Sequence, residues 1–240
     1  MTPREPAEDT RNGSARTEGA PERIRVWDPA TRLFHWLLVV LVVVNVYTGL
    51  TGGLNEMKYH VLSGQVILAL VLFRLAWGFV GSRRSRFSDF VRGPKTVLAY
   101  ARGLVGGAYA ASIGHNPMGG WSVMAMLASL LLQAVTGLYA NDDIFTEGPL
   151  ARTVSKATSD ALTVVHDINS KVLFVLIAVH LMAVFGYLIV KHENLIKPMI
   201  TGHKRIPPGL PSDDAPHRSP ILAAAVAAAA AVFVWALVSR

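Results

Sequence analysis

Four stretches of this chain, residues 33–53, 60–81, 121–140 and 166–190, are long and apolar enough to cross a lipid bilayer. About 20 predominantly apolar residues span a hydrocarbon core roughly 30 Å thick. No water is available there to satisfy backbone N–H and C=O groups, so each stretch has to be a helix. The expected fold class is therefore all-α, an integral membrane four-helix bundle. A fifth segment, 221–238, is rich in alanine and is expected to form an extra C-terminal transmembrane helix. The chain is 52% hydrophobic and only 16% charged, which is too few charges for an ordinary soluble domain.

The two ends of the chain read differently from its middle. Residues 1–22 mix Arg, Glu, Asp, Gly and Ser with almost no aliphatic side chains, as a disordered cytoplasmic tail does. They lack the basic start and apolar centre of a signal peptide, so the first helix is expected to be an uncleaved anchor. Asp28-Pro29 is a helix start, with Asp as the N-cap and Pro in the first turn. Residues 23–27 are expected at the membrane interface, where Trp27 and Trp36 suit the headgroup level. The division expected is a tail over 1–22, a membrane domain over 23–205, and a Pro-rich linker with the extra helix over 206–240.

Charge sets the orientation. Arg83, Arg84, Arg86, Arg92, Lys95 and Arg102 between the second and third spans are opposed only by Asp89. After the fourth span come Lys191, Lys197, Lys204 and Arg205 against Glu193. Residues 141–165 instead carry Asp142, Asp143, Glu147 and Asp160 against Arg152 and Lys156. Lys and Arg accumulate on the cytoplasmic side, so the N-terminus and the second loop are expected there, and the acidic third loop outside. The net charge of +7 then reflects topology, and no nucleic-acid partner is implied.

His166 and His180 stand fourteen residues apart in one apolar span, nearly four helical turns, so both project from one face about 21 Å apart along the axis. With the spans oriented as above, His35 falls at the depth of His180 and His60 at the depth of His166. A hydrogen-bonded structural histidine is the ordinary account of any one of these; two pairs at two depths point to two metal centres. The chain has no cysteine, which excludes iron–sulfur clusters, thiolate zinc sites and Cys-x-x-Cys-His haem attachment. Haem b held by two imidazoles is the natural candidate, with zinc as a rival for which two imidazoles make an incomplete set. Arg74 lies fourteen residues after His60, and Gly49 fourteen after His35. Arg74 could pair a haem propionate or snorkel to the interface. Gly49 could admit a macrocycle or serve helix packing, and Gly64 and Gly137 carry the same two readings.

Several motifs in order resemble a known family. They are Arg25-Val-Trp-Asp-Pro-Ala-Thr-Arg-Leu-Phe-His-Trp36, Arg86-Phe-Ser-Asp-Phe-Val-Arg-Gly-Pro94, Gly114-His-Asn-Pro-Met-Gly-Gly120, and Lys191-His-Glu-Asn-Leu-Ile196 with Met199-Ile-Thr-Gly-His-Lys204. Together they resemble bacterial di-haem cytochrome b561 proteins, including the related b-type cytochrome subunits of nickel–iron hydrogenases. The resemblance covers about residues 22 to 205. It implies two b haems per chain, held by histidines of the first, second and fourth helices at positions matching His35, His60, His166 and His180. It also implies electron transfer between quinone or quinol and a redox partner, such as a periplasmic cytochrome, dehydrogenase or hydrogenase, at a bacterial inner membrane.

The remaining histidines fall outside that pattern. His115 sits before Asn116-Pro117 as a turn, quinone or partner residue, His192 and His203 lie among basic residues, and His217 is in the linker. Two further functions come from the residues themselves: a membrane anchor subunit for a soluble oxidoreductase, and a metal-ion carrier. A carrier needs a polar path or an intramembrane carboxylate relay, and no Asp or Glu lies near the midplane. The alanines of 221–238 suit close packing on another helix, on the bundle's rim or in a homodimer.

Overall fold

The computed structural model describes residues 22–107, 112–206 and 217–239. In chain order the elements are β1 (Glu22–Arg25), α1 (Pro29–Thr51), α2 (Leu54–Val80), α3 (Phe87–Phe90), α4 (Pro94–Val105), α5 (Pro117–Gly137), α6 (Lys156–Val190), α7 (Ile196–Thr201), β2 (His203–Ile206) and α8 (Pro220–Val238). Five of these helices, α1, α2, α5, α6 and α8, are long and apolar enough to cross a membrane. The tail expected over 1–22 lies outside the described residues except for Glu22, as does 207–216 of the linker.

Polar caps mark where the long helices begin. Asp28 accepts from the Thr31 backbone N–H at 2.9 Å, and Asn116 from Gly119 at 2.7 Å. Each cap is followed by a proline that is preset for the first turn and has no N–H to leave orphaned. Ser219-Pro220 opens α8 in the same manner. Between α1 and α2 the turn is two residues long: Gly52 takes a left-handed φ of 67°, which only glycine adopts without strain, and Gly53 caps α2.

Two spans are longer than their apolar stretches. α2 starts at Leu54, which puts His60 in its second turn instead of at its mouth. α6 starts at Lys156, ten residues before His166, because Ser155 accepts from Thr158 N–H at 3.2 Å and Lys156 pairs with Asp160 one turn on. At 1.5 Å per residue its 35 residues run about 52 Å, so its first turns project beyond a 30 Å hydrocarbon layer.

α2 is the hub of the bundle. The helix pairs that pack extensively are α1–α2, α5–α6, α2–α5 and α2–α8, so two hairpins meet through α2 and α5. Ile67 and Val71 of α2 pack with Leu130 of α5 and Leu173 of α6. The fifth span docks on the same helix: Ala223 joins Phe34, Phe73, Trp77 and Leu127, and Val234 joins Leu68, Leu138 and Leu150. Small alanines let this helix approach closely, which is how helices associate where lipid is as apolar as their side chains. Large apolar groups such as Val43, Leu50 and Ile189 cover the outside.

One end of the bundle is closed by a cap that the sequence does not announce. β1 pairs antiparallel with β2, from Glu22 opposite Ile206 to Arg25 opposite His203. Ile24, Val26, Trp27 and Ile206 form a small core beneath this ribbon. The segment expected only to lie at the interface is thus a strand, held because its partner strand supplies the missing backbone hydrogen bonds. α7 is fastened to α1 by Trp36 Nε1 donating to the Met199 carbonyl at 3.2 Å. We call this the cap end, and the end carrying residues 141–147 the distal end.

Asp28 ties the cap to the bundle. Its buried carboxylate accepts from Ser85 Oγ at 2.5 Å, Thr31 Oγ1 at 2.8 Å and Trp77 Nε1 at 3.5 Å. Burial alone would raise this carboxyl, but the bonds from Ser85, Thr31 and Trp77 outweigh it and hold the group below the ordinary carboxylate range. Asp28→Ala removes an N-cap and strands two hydroxyls, so detergent-solubilised protein should lose about 2–4 kcal/mol and melt earlier. The contribution should be whole above the ordinary value of about pH 4 and vanish as pH falls through the lower folded value; melting curves of both proteins across that range check this.

Candidate functional site

The distal histidines come together. His60 on α2 and His166 on α6 place their ring centres 6.2 Å apart, with planes at 76°. His60 Nδ1 donates to the Asn45 carbonyl of α1 at 3.0 Å, and His166 Nδ1 to the Gln133 carbonyl of α5 at 2.9 Å. A carbonyl can only accept, so each Nδ1 carries the hydrogen and each Nε2 keeps its lone pair. Each ring rests on a glycine. A Cβ at Gly49 would stand 3.0 Å from His60 Cε1, and one at Gly137 2.9 Å from His166 Cε1. Gly49, for which the sequence left macrocycle approach and helix packing both open, lies against the His60 imidazole.

Sequence reasoning missed the residues around these rings. Thr48 Oγ1 lies 3.4 Å from His60 Nδ1, and Thr136 Oγ1 3.2 Å from His166 Nδ1. The Asn45 amide binds across to Ser63 at 2.7 Å, and the Gln133 amide accepts from Asn169 at 2.7 Å. The signal was present: Asn45-Val-Tyr-Thr-Gly49 and Gln133-Ala-Val-Thr-Gly137 share an amide-x-x-Thr-Gly pattern at the ends of two apolar spans.

At the cap end the second pair has a different setting. His35 on α1 and His180 on α6 are near enough to interact electrostatically. His35 meets the edge of Trp36 at 5.0 Å, and its Nδ1 is buried without a hydrogen-bond partner. Arg74 is 3% exposed; its guanidinium lies 5.2 Å from the Phe87 ring centre, and its Nη1 has no partner among the described residues. Beside it, His115 sits between Trp27 and Phe90 at 4.6 and 4.5 Å, its Nδ1 also unpartnered. Burial first, then the nearby Arg74 and His180, hold His115 down to about 3, so it is neutral at physiological pH. The structure thus brings His115, set aside in the sequence, to the cap-end pair. His192 adopts a left-handed φ of 54° just after α6, and His203 lies in β2.

The donor chemistry narrows what such pairs can hold. Among the described residues no three His, Asp or Glu side chains converge as a metal cluster, so an ion bound by protein alone would lack ligands. A metal that brings its own equatorial nitrogens needs only two axial ones. With metal–nitrogen bonds of about 2 Å on either side, axial imidazole centres stand roughly 6 Å apart, which agrees with the distal pair. Buried, unpaired Arg74 Nη1 and His115 Nδ1 at the cap end suit anionic carboxylates. The residues present fit a haem with two axial histidines.

A family model for prokaryotic cytochrome b561 matches residues 26–202. No curated protein and no solved structure matches the chain. The match spans most of the chain, which therefore belongs to the prokaryotic cytochrome b561 family and is a membrane b-type haem protein of electron transfer.

Gly137→Ala drives a methyl group into the His166 ring and should break its carbonyl bond, lowering haem absorbance and melting temperature together. Gly186→Ala on α6 meets nothing within 4 Å and should be neutral, or stabilising by up to about 1 kcal/mol as a better helix former. Equal effects of the two changes on the haem spectrum would refute the seating role of Gly137.

Proposed function

We propose that this chain is a di-haem b-type cytochrome that carries electrons across the membrane between a quinone pool and a redox partner. The observation that carries the reading is the distal pair, two imidazoles of one tautomer at the spacing that axial ligation of a single metal requires. His180 stands about 21 Å further along the same unbroken helix, at the level of His35, which supports a second centre. When bound, haem at each level supplies a one-electron Fe(III)/Fe(II) couple.

The chain's residues do the holding and shielding. His60 and His166 would hold the distal haem and His35 and His180 that of the cap end, and with two protein ligands on each metal the chemistry supplied would be electron transfer. Arg74 and His115 are available to the propionates of the cap-end group: Arg74 Nη1 has no hydrogen-bond partner among the described residues, and Asp28 acts on the guanidinium through its field. Gly49 and Gly137 seat the distal rings. The surrounding apolar helices keep water and competing ligands from the metal.

Topology supports a transmembrane path. The basic segments 83–102 and 191–205 gather at the cap end and the acidic loop with Asp142, Asp143, Glu147 and Asp160 at the other, so the cap end is cytoplasmic and the N-terminus lies inside. The partner reached from the bilayer is a quinone, since a carrier arriving laterally must dissolve in lipid. The distal loop is a weak candidate for docking a basic cytochrome: Glu147 pairs with Arg152 at 2.6 Å, and Asp143 and Asp160 pair with Lys156. Residues 23–205 form the haem domain and α8 is an addition to its rim, so a chain ending after Ile206 should keep both haems.

Haem analysis of purified protein tests the assignment. Two b haems per chain are expected, one of them lost in His180→Ala and the other in His166→Ala. A chain that keeps full haem content after either change would sink the ligand assignment, and one whose haems a short-chain quinol cannot reduce would sink the quinone partner.

A further inference from the structure

The two histidine pairs differ in what their back nitrogens touch. Both distal Nδ1 hydrogens are donated to backbone carbonyls, with a threonine hydroxyl as a second, longer acceptor. Those hydroxyls are free to accept because their own hydrogens are spent on the preceding turn: Thr48 donates to the Val44 carbonyl at 2.8 Å and Thr136 to Leu132 at 2.7 Å. At the cap end His35 Nδ1 has no partner, and His180 makes no hydrogen bond among the described residues.

The distal arrangement is built twice from one local device. In α1 and in α5 the glycine four residues after the amide residue removes the Cβ that would bar an imidazole from that residue's carbonyl. The threonine before the glycine fixes its hydroxyl along the same helix and offers a lone pair to the ring N–H. Thr48 and Thr136 are both buried. An acceptor on the far nitrogen raises the basicity of the ligating one. A more basic axial nitrogen favours Fe(III) over Fe(II), because the oxidised metal gains more from electron donation.

We propose that Thr48-Gly49 and Thr136-Gly137 are positioning elements that orient the distal axial imidazoles and lower the reduction potential of the distal haem, a tuning absent from the cap-end pair. This rests on the di-haem reading above and adds a role for four residues that touch no iron. Because the threonines act through the histidines, their effect is confined to one of the two haems.

A redox titration of the full-length, haem-loaded protein tests it, following each haem by its absorbance during stepwise reduction with dithionite. His180→Ala, which keeps only the distal haem, identifies which couple is distal. Thr48→Val with Thr136→Val keeps shape and removes both hydroxyl acceptors. The distal Fe(III)/Fe(II) ratio at fixed potential should then fall by up to about tenfold, a rise of up to 59 mV for one electron, with the cap-end couple unmoved. Thr48→Ser with Thr136→Ser restores the acceptor and should restore the wild-type value. If the double valine variant sheds its distal haem, each single valine variant carries the same test with a smaller expected rise. An unmoved distal couple, an equal shift of both couples, or serine behaving as valine overturns the proposal. Wild-type protein that binds no haem overturns the di-haem reading itself, and this inference with it.

Discussion

Where there is no water, each polar group must find its partner within the protein, and that requirement governs this structure at every scale. It makes the spans helical, since only an intrahelical ladder satisfies a backbone in lipid. It places Asp28, Asn116 and Ser219 where the first turns would otherwise leave N–H groups orphaned. It also decides how buried amides are used. Asn45 reaches across to Ser63, and Asn169 binds both Gln133 and Ser129, so these amides join one helix to its neighbour. The distal imidazoles obey the same rule: each spends its one hydrogen on a carbonyl, and the nitrogen left over is the one a metal can use.

Against that background the unsatisfied groups stand out. His35 Nδ1, Arg74 Nη1 and His115 Nδ1 are buried at the cap end without partners, and each would cost on the order of 1–3 kcal/mol if left so. All three lie in or beside one histidine pair, and under the proposed function they are the groups left open for a bound metal and its carboxylates. The aromatic rings around them, Trp27, Phe87 and Phe90, hold the cation and the imidazole in place without neutralising them.

The spans, Asp28-Pro29 as a start and the nearness of His60 to His166 and of His35 to His180 were legible in the sequence because each rests on local spacing or local chemistry. α6 was read short because hydropathy reports where lipid is, whereas Ser155 and the Lys156–Asp160 pair extend the helix into water. β1 and β2 were not legible, since four-residue strands drawn from the two ends of the core carry no pattern until they meet. The Thr-Gly steps were visible as letters but had no meaning before the rings of His60 and His166 were placed over them. Arg74 left two readings open because burial depends on neighbours, here Phe87 and Phe90, from an element that helical periodicity does not reach.

The strand pair at the cap also has a topological meaning. Glu22 and Ile206 are partners across the ribbon, so the core of this bundle is almost a closed ring in connectivity, with its beginning and end at one place on the surface. Additions at either end therefore leave from the same membrane face and need not thread the bundle, as α8 shows by returning along the outside of α2. In such a ring the neighbour relations matter more than the starting point. A circularly permuted chain, joined between residues 206 and 22 and opened at the Gly52-Gly53 turn, would keep every helix pairing of the core while changing which helix the membrane receives first.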